Sequence, residues 1–176
     1  MTSTEVLTDG FDRVRSVVHA VLDGATDDVL TFRPDPAANT LAWLVWHLTR
    51  VQDAQVAPLM AAEQVWTAAG WFERFALPFA RGATGYGHAA QDVGAVRTGA
   101  GLLVGYFDAV HARTVEYLGT LTEADLERVV DRAWDPPVTL AVRLVSTLAD
   151  DLQHAGQASY VRGLALRTAP TTSSPR

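Results

Sequence analysis

Three side chains of this sequence have the types and the spacing of a metal-binding site. Asp150 and His154 are four residues apart in a segment that is predicted to be helical, residues 140–166. A separation of four places both side chains on one helix face, with Cβ atoms roughly 6 Å apart, so both can bind one divalent ion. His47 lies in a second apolar helical segment, LAWLVWHLTRVQDAQV. If the two helices pack together, the three groups leave coordination positions open, which is typical of catalytic metals.

Two further residues of the last helix are expected to support this site. Asp151 lies three residues before His154 and also neighbours it on the helix. We assign the metal to Asp150 because it lies on the more polar face. Asp151 is predicted either to accept a hydrogen bond from a metal ligand or to be a surface charge. Gln157 is predicted to orient a ligand or a bound water, or to be a helix-packing amide. The polar face consists of Arg143, Thr147, Asp150, His154, Gln157 and Val161.

Four other polar side chains are weaker candidates for the site. Tyr86 and His88, in the segment TGYGH, are candidates for moving protons at the open side of the metal. The alternative for that segment, a loop shaped by its glycines, has the stronger support. Arg50 and Arg162 are candidates for gripping an anionic substrate, because a guanidinium matches a carboxylate with two hydrogen bonds. Surface charge is the better-supported alternative for both arginines.

The composition limits the chemistry. The chain has 176 residues and no cysteine. Cysteine zinc sites and a cysteine nucleophile are therefore excluded, any metal must use histidine and carboxylate ligands, and any thiol must arrive with a substrate. The formal net charge of -6 argues against a nucleic-acid partner, because phosphate contacts need a basic face. The absence of P-loop, Gly-x-Gly-x-x-Gly and Gly-x-Ser-x-Gly motifs disfavours nucleotide cofactors and serine-hydrolase chemistry.

The sequence favours a cytoplasmic protein with no membrane partner. The first residues, MTSTEVLTDGFDRVR, lack the basic stretch followed by an apolar run that marks a secretion signal. The longest strongly apolar run, LAWLVW, is far shorter than the roughly 20 residues that a membrane-spanning helix needs.

Four long helical segments are predicted to position the candidate residues, at about 4–22, 40–57, 92–119 and 140–166. Because no segment alternates well enough for a strand, we predict an all-α fold, a four-helix bundle. The connection between the second and third segments is too long for a hairpin and predicts a crossover. We expect one domain over residues 1–166 and a disordered polar tail over residues 167–176. A homodimer through apolar helix faces suits a bundle of this size, although no feature of the sequence requires it.

Four motifs resemble one superfamily. WLVWHLTRVQD, GYGH, WDPPVT and DDLQHAGQASYVRG resemble the DinB/YfiT-like metalloenzymes, in the branch of mycothiol-dependent maleylpyruvate isomerase and mycothiol S-transferases. The resemblance implies a four-helix bundle with a metal at one end of its core. It also implies that His47, Asp150 and His154 are the ligands. Many members have histidine at the first position of the last-helix pair, where this chain has Asp150.

The resemblance also implies a reaction. Zn²⁺ is the first expectation for the metal and Ni²⁺ the second. A coordinating thiol loses its proton at neutral pH, and the thiolate is the reactive nucleophile. We therefore expect a low-molecular-weight thiol such as mycothiol, activated as a metal-bound thiolate, to be transferred to a small electrophile or to assist an isomerisation. The alternatives are a metallohydrolase that activates water and a non-catalytic metal-binding or stress-related protein.

Overall fold

The computed structural model describes residues 1–168. Its long helices are α1 (Ser3–Leu22), α3 (Leu41–Val56), α7 (Ala100–Thr120) and α9 (Leu140–Thr168). The shorter ones are α2 (Asp27–Thr31), α4 (Val65–Ala68), α5 (Trp71–Phe75), α6 (Ala90–Ala95) and α8 (Glu123–Leu126), with a turn of 3₁₀ helix at Ala57–Met60. Two short strands, β1 (Val129–Asp131) and β2 (Val138–Thr139), pair in an antiparallel ribbon that the sequence analysis missed.

The four long helices form the predicted bundle. Helices α1 and α3 lie on opposite corners, because each packs against both α7 and α9. The long connection from α3 to α7, residues 57–99, carries α4, α5 and α6. Among residues 1–168, no helix is both long and apolar enough to cross a membrane.

Local sequence explains where the helices begin. The Thr2 hydroxyl accepts a hydrogen bond from the Glu5 amide, and the Glu5 carboxylate accepts one from the Thr2 amide in return. The hydroxyl of Thr40 accepts a hydrogen bond from the amide of Trp43 at 3.1 Å and starts α3. Thr122 starts α8 in the same reciprocal manner as Thr2. These bonds satisfy amide groups that have no partner within the helix.

The third predicted helix is interrupted, which corrects the prediction of a continuous helix over residues 92–119. Helix α6 ends at Ala95, and Val96 has a ψ of 85° that takes the chain out of the helical region. The chain enters α7 through Gly99, whose φ and ψ of -75° and 154° are extended. Glycine is a poor helix former, so this position is a natural break.

The last helix runs two residues beyond the predicted boundary. Arg167 and Thr168, placed in the predicted tail, continue α9. The hydroxyl of Thr168 donates to the carbonyls of Leu164 and Ala165, which covers acceptors that a helix end leaves open. Residues 169–176, the remainder of the predicted tail, lie outside the described residues.

Helix α3 is the central element of the bundle. Every residue from Leu41 to Arg50 is buried, so the helix is enclosed on all sides over that stretch. A helix that is buried on all faces is held by packing around its whole circumference. His47 is therefore carried by a rigid part of the core, on the helix that packs against α9.

Candidate metal centre

The structure brings His47, Asp150 and His154 together between α3 and α9. Each offers one ligand atom, and these atoms all lie within 4.8 Å of one another. Nε2 of His154 is 3.6 Å from Oδ1 of Asp150. Two ligands on one tetrahedral ion are about 3.4 Å apart when each lies about 2.1 Å from the metal. The His154–Asp150 separation therefore suits two ligands of one ion.

Both imidazole rings are oriented through the nitrogen that faces away from the site. Nδ1 of His47 lies 2.6 Å from the carbonyl oxygen of Thr84, and Nδ1 of His154 lies 2.8 Å from Oε1 of Gln157. A carbonyl oxygen can only accept, so Nδ1 carries the proton and Nε2 keeps its lone pair. Such partners fix the tautomer and the ring orientation of metal-binding histidines. The structure thus places the Gln157 side chain against the His154 ring, and its role as a ligand-orienting residue stays a prediction.

The surroundings of His47 favour the neutral imidazole that a metal requires. Trp43 stacks on the His47 ring with centroids 4.5 Å apart and planes 12° from parallel. Burial lowers the pKa of His47, an effect that the hydrogen bond to Thr84 only partly opposes. Gly85 also presses against this ring, because a Cβ atom built there would lie 2.7 Å from His47 Nδ1.

The residues present fit a divalent metal. Within residues 1–168, Oδ2 of Asp150 is buried and has no hydrogen-bond partner. An unsatisfied carboxylate oxygen in such a position costs free energy that a cation would recover. Two imidazole nitrogens and one carboxylate oxygen suit Zn²⁺ or Ni²⁺ better than Mg²⁺ or Ca²⁺, which prefer oxygen ligands.

Asp151 is not a surface charge, which corrects one of the two alternatives for this residue. It is fully buried, and its two carboxyl oxygens have no hydrogen-bond partner within residues 1–168. Burial, followed by the neighbouring charge of Asp150, raises the pKa of Asp151 well above its ordinary value. Among residues 1–168, no candidate metal ligand donates a hydrogen bond to the Asp151 carboxyl. No contact therefore supports the other alternative, that Asp151 accepts a hydrogen bond from a metal ligand.

A cavity of about 670 Å³ opens beside the site, a size that suits a small-molecule ligand. His47, Asp150 and His154, the candidate metal ligands, are called the ligand cluster below. His47 and Asp150 form part of the cavity wall, so this cluster faces an accessible space. The remaining lining residues are Val51, Ala54, Gln55, Thr84, Tyr86, Trp134, Val138, Val142, Arg143, Ser146 and Thr147.

Tyr86 and His88 are placed differently although they are two residues apart. Tyr86 lines the cavity and is 93% exposed. His88 is not among the lining residues. Its ring packs against Phe79 and Trp46, and its Nδ1 accepts a hydrogen bond from Nε1 of Trp43 at 3.3 Å. Of the two predicted proton carriers, only Tyr86 faces the cavity beside the ligand cluster.

Three lining residues were missed as functional candidates: Gln55, Trp134 and Arg143. Their signal lies in helix periodicity. Gln55 is eight residues after His47 on α3, and Arg143 is seven before Asp150 on α9, so each lies two turns from a ligand on the same face. Trp134 follows β1, a strand that was not predicted from the sequence.

Arg50 and Arg162 lie elsewhere. Arg50 is fully buried, which excludes both surface charge and a grip on substrate. Its guanidinium donates to Ala83 O, Gln64 Oε1 and Tyr106 Oη, and lies 3.6 Å from Asp53. Arg162 donates to the carbonyl of Asp23, outside the lining of the cavity. Asp53, three residues after Arg50, is the partner that makes burial of this cation tolerable, and it was not among the residues predicted from the sequence.

Comparison with known proteins identifies the family. A family model described as mycothiol-S-transferase matches residues 6–165. The chain belongs to the mycothiol-S-transferase family. This confirms the resemblance to the mycothiol S-transferase branch of the DinB/YfiT-like proteins, which rested on the His47 segment and the last helix. No curated protein matches this chain.

The fold of this family member also resembles a solved structure. That structure is described as the conserved protein of locus from Enterococcus faecalis. It is 32% identical in sequence, with a TM-score of 0.89 over 96% of this chain and 99% of the other. The likeness extends along nearly the whole of both chains and supports the bundle described above.

Proposed function

We propose that this protein is a metal-dependent thiol S-transferase that joins mycothiol to a small electrophile. The observation that carries the proposal is the convergence of His47, Asp150 and His154 within 4.8 Å, in a member of the mycothiol-S-transferase family. His47 and Asp150 also line a cavity of about 670 Å³. The chain has no cysteine, so the reacting sulfur must belong to a substrate.

The protein would supply a rigid, partly enclosed set of metal ligands. His47, Asp150 and His154 would hold the ion, with Zn²⁺ the first expectation and Ni²⁺ the second. A divalent ion there supplies the charge that deprotonates a coordinating thiol at neutral pH. Thr84 and Gln157 hold the two imidazoles in the tautomer that the ligands need.

The proposed reaction needs no oxidant or reductant. The thiol loses its proton to solvent through the open cavity, and its sulfur forms a bond to an electrophilic carbon. The leaving group departs with the electron pair of the bond that breaks. Where the electrophile adds the thiol instead, a proton must return to the product, and we retain Tyr86 as the side chain in the cavity that can deliver it.

The proposal is tested by thiol-transfer assays on reconstituted protein. With mycothiol and 1-chloro-2,4-dinitrobenzene, a general aromatic electrophile, we expect metal-dependent formation of the thioether. Asp150→Ala and His154→Ala should lower kcat/KM by at least about 100-fold, since loss of a ligand removes the activated thiol. Asp150→His, the residue that many relatives of this superfamily have there, is the matched control and should keep most of the activity.

The outcomes separate the alternatives. Ester or amide hydrolysis without added thiol, lost in His154→Ala, would favour a metallohydrolase over the transferase. A protein that binds metal but turns over neither thiol nor ester substrates would favour a non-catalytic metal-binding protein.

A further inference from the structure

The outward face of α9 carries no exposed charge. Helix α9 packs against α1 and α3 on its inner side. From residue 142 to residue 166 its exposed side is formed by uncharged residues: Val142, Val145, Ser146, Ala149, Leu152, Gln153, Gly156, Gln157, Ser159, Tyr160 and Leu166. The exposed side of α1, in contrast, includes Glu5, Asp9, Asp12, Arg13 and Arg15. Because interface cores are depleted of charged residues, the outward face of α9 has the composition of a contact surface.

A single stripe of apolar and small residues follows this face along the helix. Its members are alternately three and four residues apart, the heptad spacing by which two helices pack along a shared seam. At 1.5 Å of rise per residue, the stripe is about 36 Å long. We call it the α9 stripe, and it consists of Val142, Val145, Ala149, Leu152, Gly156, Ser159, Gly163 and Leu166.

Two glycines of the α9 stripe are not required by the chain's own packing. A Cβ atom built on Gly156 would meet no atom of residues 1–168 within 4 Å. One built on Gly163 would meet only Nη1 of Arg167, at 3.5 Å, the far end of a flexible side chain. Neither glycine has a positive φ. Since glycine inside a helix is less stable than alanine, both positions cost stability that a close approach by a second backbone would explain.

Antiparallel pairing with a second copy makes the α9 stripe complementary to itself. The centre of the stripe lies between Leu152 and Gly156. Reversal about this point places Leu152 opposite the partner subunit's Gly156, and Val145 opposite the partner subunit's Gly163. Each large side chain then packs against a glycine, and the same patch serves both copies, as two-fold symmetry requires. In a parallel pair each glycine would lie opposite its own copy and leave a gap in the packing.

We propose that the α9 stripe is the interface of a homodimer in which the two α9 helices pack antiparallel. The outward face of α9 offers no exposed charge to a partner of another kind, and the matching of large residues with glycines points to a second copy. The same register places Val142, which lines the cavity beside the ligand cluster, opposite the partner subunit's Leu166. The second copy would therefore border that cavity. This interface does not depend on the proposed function, because no metal or substrate takes part in it.

Sedimentation of the full chain measures the dissociation constant of the dimer, and we expect a dimer at micromolar concentration. Leu152→Glu should raise that constant at least about 100-fold, because a symmetric interface contains the buried charge twice. Gly156→Leu should also raise it, while the single chain has open space at this position.

Two matched controls should leave the dissociation constant unchanged. Val6→Glu places the same charge on a valine of α1 that is 53% exposed. Gly101→Leu alters a glycine of α7 at which a Cβ atom would also meet no atom within 4 Å. Circular dichroism checks that every variant remains helical.

Crosslinking tests the antiparallel register in a chain that keeps its large stripe residues Leu152 and Leu166. The chain has no cysteine, so introduced thiols are the only ones present. A chain with both Val145→Cys and Gly163→Cys should be joined into dimers by a short bismaleimide, whereas Val145→Cys alone should not. A monomeric parent, or a dimer that persists in both Leu152→Glu and Gly156→Leu, would overturn the interface. Efficient crosslinking of Val145→Cys to its own copy would overturn the antiparallel register.

Discussion

At the residue scale, the candidate metal ligands depend on neighbouring groups that fix the orientation of their rings. Spacing alone placed Asp150 and His154 on one helix face, and the structure brings His47 to them. The partner of His47 is a backbone carbonyl, Thr84 O, in a loop whose path no pattern in the sequence defines. The sequence also left open whether Asp151 is buried. Residues 150 and 151 both neighbour His154 on the helix, so spacing alone does not distinguish their surroundings.

Gly85 is expected to be required for the position of His47. It has a φ of +97°, and an added Cβ would lie 2.7 Å from His47 Nδ1 and 3.1 Å from both Trp43 and Trp46. Gly85→Ala should therefore reduce metal affinity and destabilise the fold by about 1–3 kcal/mol. Gly87→Ala is the control, since Gly87 also has a positive φ of +75° but meets no atom within 4 Å.

Metal titration and thermal unfolding of both glycine variants give the comparison. Equal losses of metal affinity in the two variants would mean that backbone strain, and not contact with the imidazole, is responsible.

Gln157 is expected to raise the metal affinity of His154. Removing such a partner typically costs 10–100-fold in metal affinity, so we expect Gln157→Leu to raise the Kd for Zn²⁺ by about that factor. Gln153→Leu is the matched control, because Gln153 is an exposed glutamine of α9 that donates to the Ala149 carbonyl one turn before it. Competition titration with a chelator measures both. Indistinguishable Kd values for Gln157→Leu and the parent would show that Gln157 is only a packing amide.

At the element scale, the sequence predicted the long helices better than the segments between them. Capping residues and apolar spacing define α1, α3 and α9 to within two residues. The break before Gly99 and the β1–β2 ribbon were missed, because both depend on packing that short patterns do not record.

The long connection after α3 is anchored by a buried network. Asp53 accepts from the amides of Val65 and Trp66 and from the Tyr106 hydroxyl.

The contact between α1 and α7 includes a pH-dependent ion pair. Asp108 on α7 lies 2.8 Å from Nε2 of His19 and 2.9 Å from Nε of Arg15, both on α1. Partial burial alone would raise the pKa of Asp108, but its bonds to His19 and Arg15 outweigh that effect and lower the pKa. A carboxyl with a lowered folded-state pKa stabilises the protein above its unfolded pKa of about 3.9. This stabilisation is lost as the pH falls through the folded-state pKa.

Asp108→Asn is therefore expected to destabilise the protein at pH 7 but not in acid. Because the pair is partly exposed, we expect a loss of only about 0.5–1 kcal/mol. Urea unfolding of parent and variant from pH 7 downward measures the difference. Asp9→Asn is the control, since Asp9 pairs with Arg13 one turn away on the exposed face of α1 and should matter less. A difference for Asp108→Asn that stays constant into acid would show that the ion pair does not contribute.

At the scale of the whole molecule, the bundle was predictable because four apolar periodic segments without strands permit few other folds. The cavity was not predictable in the same way. Residues of α3, the Thr84 loop, the segment after β1 and α9 line it, so its lining comes from four separate parts of the chain. The ligand cluster faces this cavity, so the proposed function requires that the cluster binds a metal.

Metal content of purified, tag-free protein is the most direct test of that point. Elemental mass spectrometry should find about one equivalent of Zn²⁺ or Ni²⁺ per chain after reconstitution, as one three-residue site requires. His154→Ala and Asp150→Ala should lose it, and Asp150→His should retain it, while all remain helical by circular dichroism. A parent protein without bound metal after reconstitution, or a His154→Ala variant that binds as much metal as the parent, would contradict the metal centre.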